Sequence, residues 1–489
     1  MSYNARRVKL ARNPAPDIGG RYSGKTEARG VVLMLTELAF QNFKSWRDTG
    51  NVRLAPLTAL FGSNSSGKTS ILQMLLLLKQ TTESPDRTQV LNLGDDRSLV
   101  DLGTFQDVLF RHDLTKPLQV SLDWKLPRSL EIADPASKGA FLFKGDAIGF
   151  SSAVEWQANG EPGLGRPVVA EMEYRFSGET FGMAQVNGKK SEYDLKSGFK
   201  FVRATGRPWK LPPPAKCYGF PDQVRAYYQN ASFLSDLELQ FEEVFARVFY
   251  LGPLREYPGR QYSWAGAQPA DMGRRGERVV DALLASRESG VKLSLGRGKK
   301  RQTVEERVAE WLRDLGLIES FHVRPITTDG RLFQVWVRRD PKAAEVLITD
   351  VGFGVSQILP VITLCYYAPE GSTLLLEQPE IHLHPKVQAG LADVLVDAMK
   401  TRNIQIILES HSEHLLRRLQ RRLAEETIEP EQTALYFCST ETGESHLTPL
   451  DLDPFGTIKN WPQDFFGDEF GEIAAMSQAA LERKKKGAR

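Results

Sequence analysis

Apolar positions fall into two textures along the chain. Runs of strand length, nearly continuous in aliphatic and aromatic residues, occur at "LTALFG" (57–62), "AEVLITDVG" (344–352), "STLLLEQPE" (372–380), "NIQIILESHS" (403–412) and "TALYFCS" (433–439). Strands of a sheet covered on both faces have this composition. Between the later runs lie the helical stretches "VSQILPVITLCYY" (355–367), "KVQAGLADVLVDAMK" (386–400) and "EHLLRRLQRRLAEE" (413–426), which complete a β-α-β rhythm. "LTALFG" stops at a glycine loop and continues into "TSILQMLLLLKQ" (69–80), apolar around its circumference and so a buried helix. The predicted sheet is therefore split in sequence, with one part near the N-terminus and the other beyond residue 345.

The second texture fills the gap. "LQVSLDWKL", "SSAVEWQA", "VVAEMEYRF" and "FKFVRA" predict antiparallel strands between about 115 and 250, separated by Gly, Lys and Asp turns. "RPWKLPPPAK" (207–216) reads as a rigid extended linker, because prolines at that density exclude a regular helix. Residues 236–260 predict a helix running into a strand and then a turn with two arginines; "VEERVAEWLRDLGL" (304–317) is an amphipathic helix. No heptad pattern persists over several repeats, so no long coiled coil is expected. The fold class that follows is α/β, with a mixed, mainly parallel sheet split by an inserted α+β region. The expected division is a flexible basic arm (1–33), the N-terminal part of the head (34–115), an inserted β-rich and helical region (116–344), the C-terminal part of the head (345–440), and a small C-terminal domain with a basic tail (441–489).

Composition narrows the function classes. A chain of 489 residues has room for two or three domains. Its 63 basic and 61 acidic residues leave a net charge of only +2, so nucleic-acid binding would have to come from local patches. Cys217, Cys365 and Cys438 have no ligand-like spacing, which argues against a disulfide framework and a zinc site. No stretch approaches the roughly 20 apolar residues of a membrane span. The basic N-terminus (Arg6, Arg7, Lys9, Arg12) lacks a signal peptide's apolar stretch, so a cytoplasmic protein is expected.

Candidate chemistry sits where apolar runs end. Gly62-Ser63-Asn64-Ser65-Ser66-Gly67-Lys68-Thr69 fits G-x-x-x-x-G-K-[ST], between a strand and a helix as that motif requires. Backbone N–H groups and the helix start would bind phosphates, Lys68 would reach the β- and γ-phosphates, and the Thr69 hydroxyl would ligate Mg²⁺. Ser70 completes this nucleotide-binding set. Glu377 ends an apolar strand, as a carboxylate that holds Mg²⁺ beside such a loop does; alone, it would read first as a core strand ending in a surface acidic turn, and the phosphate loop reverses that preference. His411 ends the next apolar strand, where a histidine is either a structural hydrogen-bonder or part of a shared ligand edge. In "DVGFGVSQILPV" (350–361) the amides around Gly354 and the Ser356 hydroxyl open a helix, a geometry that suits phosphate and a plain turn alike.

Taken together, these motifs resemble the ABC-type ATPases of the RecF, structural-maintenance-of-chromosomes and OLD-nuclease group, and in particular short bacterial AAA-family relatives without a nuclease domain. The resemblance spans about 34–110 and 345–475. It rests on "LTELAFQNFKSW" leading into "FGSNSSGKTS", and on "LVDLGTFQDVLF", "FYLGPLREYPGR", "EQPEIHLHP" and "ESHSEHLL". "IKNWPQDFFGDEFGE" is similar to a C-terminal domain of unknown function often found on these ATPases. The resemblance implies an ABC-type P-loop head that binds ATP and Mg²⁺. By it, Gln106 is the glutamine near Mg²⁺ and the attacking water, "GFGVSQ" the signature that closes on a second subunit's γ-phosphate, and His411 the switch histidine. It also implies a head-to-head dimer. Two departures stand out: the signature is not of the Leu-Ser-Gly-Gly form, and Gln378 occupies the position where most relatives place the catalytic glutamate. A general base contributes about 10² to 10⁴ in rate, so its loss slows turnover without touching binding. An amide can still orient water, and Glu380, two residues on, is the candidate substitute carboxylate.

The remaining motifs carry less. His382 and His384 with Glu380 mimic a metal site, yet no further histidine or cysteine cluster supports them. Of the basic runs, "RRLQRR" (417–422) decorates a helix, while Arg297, Lys299, Lys300 and Arg301 lie in a glycine-bearing loop that is the candidate DNA contact. The function expected is an ATP-driven, dimerising switch with slow hydrolysis, acting on DNA or on a separate nuclease subunit, as in two-component phage-defence systems of the Septu kind. The alternative is a nucleotide-gated scaffold whose hydrolysis is vestigial. Nuclease activity is not expected in this chain, and neither is a membrane partner.

Overall fold

The computed structural model describes residues 33–134, 140–159, 165–186, 192–204, 206, 210–296, 298–326, 330–462, 465, 474–481 and 483. The expected basic arm, Arg297 and most of the basic tail lie outside them. The chain opens with β1 (Met34–Phe43), short strands β2 (Trp46–Asp48) and β3 (Val52–Arg53), β4 (Leu57–Gly62) and helix α1 (Lys68–Glu83). Five long strands follow: β5 (Leu118–Ala133), β6 (Phe141–Ala158), β7 (Gly165–Phe176), β8 (Glu179–Gln185) and β9 (Tyr193–Ser197). Helices α2 (Asp222–Tyr227) and α3 (Leu234–Ala246) lead to β10 (Val248–Leu251). A small lobe comprises β11 (Tyr262–Ser263), α4 (Val279–Ser289), α5 (Val304–Asp314), β12 (Ser320–Pro325), β13 (Leu332–Arg338) and β14 (Glu345–Leu347). Then come α6 (Phe353–Tyr367), β15 (Thr373–Glu377), α7 (Pro385–Arg402), β16 (Gln405–Glu409), α8 (Glu413–Ala424), β17 (Thr433–Glu441) and β18 (Glu444–Pro449).

The central sheet has the order β10-β15-β16-β4-β17-β18, parallel except for the β17–β18 hairpin. It is the mixed, mainly parallel sheet expected of an α/β P-loop head. Both faces are covered, and the strand period of two sorts alternate residues to opposite sides. Leu375 and Ile407 join the core that contains α1, α3 and the long antiparallel strands. Leu374, Leu376, Ile406 and Leu408 join the core made by α4 to α8. This explains why the strands read as continuous apolar runs rather than alternating ones. Among the described residues the longest helix, α7, has 18 residues, and none is long and apolar enough to cross a membrane.

Three expectations shift. The antiparallel strands do not form a separate unit: β1 pairs with β5, and the sheet runs β2-β1-β5-β6-β7-β8-β9, so a boundary at 115/116 cuts through it. "FKFVRA" is not a strand; Phe199 and Phe201 pack instead in an aromatic cluster with Phe233, and the neighbouring "YDLKS" pairs with β8. "AEVLITDVG" contributes only three strand residues, and these pair with β13 in the small lobe, not in the central sheet. Apolar composition alone does not say which sheet a run joins.

Candidate functional site

The glycine loop leaves the C-terminal end of β4 and enters α1, as the sequence motif requires. Gly67, at φ 89, makes the turn into the helix. A Cβ there would stand 2.5 Å from Ser445 Oγ, 2.7 Å from Trp46 Nε1 and 2.9 Å from Ser45 Oγ, so the position admits glycine alone. These neighbours brace the loop from outside: Trp46 Nε1 donates to the Gly67 carbonyl (3.0 Å), and Ser445 donates to Ser45 (2.7 Å). The Lys68 ammonium is folded back onto its own loop, donating to the carbonyls of Gly62 (3.1 Å) and Ser63 (2.6 Å). Burial lowers its pKa, with Glu409 the main opposing influence.

Three carboxylates stand at or just beyond the tips of the neighbouring strands. Glu377 ends β15 and Glu409 ends β16, and the two are in register on adjacent parallel strands. The Thr69 hydroxyl donates to Glu409 Oε2 at 2.7 Å. Glu377 Oε1 instead accepts from the Tyr250 hydroxyl at 2.9 Å. Burial, then the Glu409 charge, pushes the Glu377 carboxyl up to about 7. Glu380 lies in the loop after β15, where Gln378 (φ 41) and His382 (φ 61) both take left-handed backbone. Its Oε1 accepts from Ser410 Oγ and the His411 N–H, each at 2.7 Å, so it holds the end of β16 rather than facing outward. Burial raises the pKa of Glu380 and of Glu409 alike.

Cations flank these acids, and among the described residues none forms a close ion pair with them. Arg255, 3% exposed, reaches the Glu377 carbonyl through Nη2 at 3.4 Å, while its Nε and Nη1 have no partner among the described residues. Burial lowers the pKa of Arg255 to about 10 and also lowers that of Lys44, in both cases against the pull of Glu377. His411 is half-buried; burial first, then Lys68, holds its pKa below the usual imidazole value, which keeps the ring neutral at pH 7.

The structure thus gathers Gly62 to Ser70, Glu377, Gln378, Glu380 and His411 at one sheet edge. Two expected residues fare differently. Ser356 is 7% exposed and donates to the Phe353 carbonyl at 2.8 Å, so its hydroxyl is turned into its own helix; what the helix start offers is backbone at Gly352 and Gly354. Gln106 is exposed, and among the described residues its amide bonds to none of Thr69, Glu377 or Glu409. Its loop is linked to the site through Val108, whose carbonyl accepts from the Lys44 N–H at 2.7 Å. His384 caps α7 and His382 packs on Phe353, so neither is arranged as a ligand. Sequence reasoning missed Glu409, Tyr250, Arg255 and Lys44. For Glu409 the signal was present, since "QIILE" repeats the pattern of "TLLLE".

The donor set suits a nucleotide with magnesium: backbone N–H groups at a helix start, a lysine, a threonine hydroxyl and two hard carboxylates at neighbouring strand tips. Among the described residues no group of three His, Cys, Asp or Glu could hold a metal ion. Fold and site together define a P-loop head of the α/β class.

Two family models match parts of the chain. Residues 252–417 match a family model described as "AAA domain, putative AbiEii toxin, Type IV TA system". Residues 428–476 match a model described as "Protein of unknown function (DUF3696)". No curated protein sequence matches. Similar solved structures include an Smc head bound to the C-winged helix domain of ScpA, at 12% identity and TM-score 0.42, covering 86% of this chain and 98% of that one. The SMC head domain from Thermotoga maritima has 12% identity and TM-score 0.37, covering 85% and 99%. An Smc head with an extended coiled coil, bound to the C-terminal domain of ScpA derived from Pyrococcus furiosus, has 11% identity and TM-score 0.42, covering 86% and 97%.

Proposed function

We propose that this chain is an ATP-binding switch that hydrolyses ATP slowly and works as a head-to-head pair. The observation that carries the proposal is the glycine loop Gly62–Thr69 set against Glu377 and Glu409 on neighbouring strand tips. In the bound state the loop amides hold the phosphates, and Lys68 exchanges its two backbone carbonyls for phosphate oxygens. Magnesium, held on the Thr69 and Glu377 side, would neutralise charge developing on the phosphates. Gln378 orients water rather than removing its proton. Glu380 acts as a positioning residue, because its bonds to Ser410 and His411 fix the switch histidine. A pairing face is supported by exposed Leu254, Tyr257 and Phe353, with Tyr257 and His382 packed on Phe353 beside the Gly352–Gly354 helix start. The toxin-related description of the matching AAA model favours a role in bacterial defence, with cleavage left to a separate subunit. Lys299, Lys300 and Arg301 are exposed and remain the DNA-contact proposal, although Lys299 borders a cleft of mixed charge that also holds Asp393 and Asp397.

A nucleotide-gated scaffold without turnover is the second reading, favoured by Gln378 and by the engagement of Glu380. Steady-state ATP hydrolysis with and without DNA separates the two. Slow turnover in the wild type, abolished by Lys68→Ala and raised by Gln378→Glu, is expected of the switch. Tight ATP binding with no turnover in the wild type or in Gln378→Glu would establish the scaffold.

A further inference from the structure

The carboxylate in contact with the phosphate-loop threonine is not the one the motif pattern nominates. Glu377 lies two strands from β4, whereas Glu409 lies on the strand in between and pairs directly with Leu60 of β4. Its backbone is fixed on both sides: its carbonyl accepts from the Gln378 N–H at 3.0 Å, and the next residue, Ser410, donates its N–H to the Leu60 carbonyl at 2.9 Å. The side chain is 1% exposed, and among the described residues its only hydrogen bond to a side chain is the one from Thr69. Among the described residues neither Glu409 nor Glu377 has a Lys, Arg or His within ion-pair distance. A buried carboxylate without a cation is costly, so the arrangement is stabilised by whatever positive charge the loaded site brings.

From this we infer that Glu409 is the positioning residue for magnesium: it accepts the hydrogen bond of the Thr69 hydroxyl and thereby leaves an oxygen lone pair of Thr69 free for the metal. The inference rests on the nucleotide reading above and sharpens it. A hydroxyl has one proton and two lone pairs, so a fixed acceptor on one side dictates what the other side offers. Outer-sphere acceptors of this kind orient the ligand and raise its donor strength, and their loss lowers metal affinity about 10- to 100-fold. The assignment also leaves Glu377, held by Tyr250 and adjacent to Gln378, as a carboxylate not engaged by Thr69.

The test is a magnesium titration of binding by the fluorescent ATP analogue mant-ATP, with parallel titrations in EDTA. Wild type should bind mant-ATP in EDTA and more tightly as magnesium is added. Glu409→Gln should leave the EDTA affinity within about twofold and raise the half-saturating magnesium about 10-fold or more. Thr69→Val should do the same, Thr69→Ser should behave as wild type, and the double variant Thr69→Val/Glu409→Gln should be no worse than either single, since the two act as one unit. An unchanged magnesium half-saturation in Glu409→Gln would overturn the inference, as would additive effects in the double variant or an equal loss in EDTA. Wild type that binds mant-ATP in neither condition would overturn the nucleotide reading and this inference with it.

Discussion

Thr69 donates its hydroxyl to Glu409 Oε2 across 2.7 Å, joining the first turn of α1 to the tip of β16. The contact links two segments 340 residues apart and ties the loop proposed to hold phosphates to the strand that leads to His411. Glu377 is thereby left to a different partner, Tyr250, on the outer strand β10.

Tyr250→Phe removes the hydroxyl that fixes Glu377 and leaves a buried acceptor short of a donor. The expected result is a loss of about 1 to 2 kcal/mol in denaturant unfolding. ATP turnover should fall about 10-fold while ATP affinity changes little. Chemical denaturation alongside steady-state hydrolysis checks both.

Glu377 makes the nucleotide-free protein pH-sensitive. Its folded pKa is raised to about 7, first by burial and then by Glu409, against Tyr250, Arg255 and Lys44. A raised folded pKa means that the native state binds more protons than the unfolded chain between about 4.5 and 7, so this contribution is complete at low pH and is lost as pH rises through 7. Glu377→Gln should therefore be more stable than wild type at pH 8, by about 2 to 3 kcal/mol, and nearly equal to it at pH 5. Thermal unfolding in EDTA at the two pH values measures the difference.

Two glycines of similar backbone separate packing from conformation. Gly67→Ala would force a Cβ against Ser445, Trp46 and Ser45, whereas Gly178, at φ 81, has nothing within 4 Å. Gly178→Ala should cost about 1 kcal/mol from its left-handed backbone alone. Gly67→Ala should cost more and abolish ATP binding. Thermal melts and an ATP-binding assay on both variants decide it.

The small lobe is held to the head by a charged cluster. Arg307 of α5 donates to Asp397 of α7 (2.6 Å) and to Glu310 (2.7 Å), while Tyr366 of α6 donates to the same Asp397 oxygen (2.6 Å). Arg307 is 9% exposed, so removing its partner leaves a largely buried charge. Asp397→Ala should destabilise the protein by about 3 to 5 kcal/mol, and the double variant Arg307→Met/Asp397→Leu by much less. Urea unfolding of the two distinguishes a needed pair from a needed volume.

How far the sequence revealed this arrangement follows from where the chemistry lies along the chain. The phosphate loop, Glu377 and His411 were legible because each stands at the end of a contiguous apolar run whose own pattern places it at a strand tip. Tyr250 and Arg255 were not, since their relation to Glu377 depends on β10 entering the sheet beside β15 after 120 or so intervening residues. The continuity of β1 with β5 was hidden for the same reason, because strand pairing across a connection leaves no local mark. For Ser356 the place at a helix start was legible, but the hydrogen bond of its hydroxyl back to its own first turn was not, although serines there commonly make it.

Equilibrium binding of ATP to the wild type and to Lys68→Ala tests the nucleotide site most directly. Lys68 is 4% exposed and among the described residues bonds only within its loop, so its replacement removes the charge proposed to bind phosphate with little else. Loss of a charged hydrogen bond of about 1.5 to 3 kcal/mol predicts saturable binding by the wild type that weakens about 10- to 100-fold in the variant. Equal affinity in the two proteins, or no saturable binding by the wild type, would contradict the account.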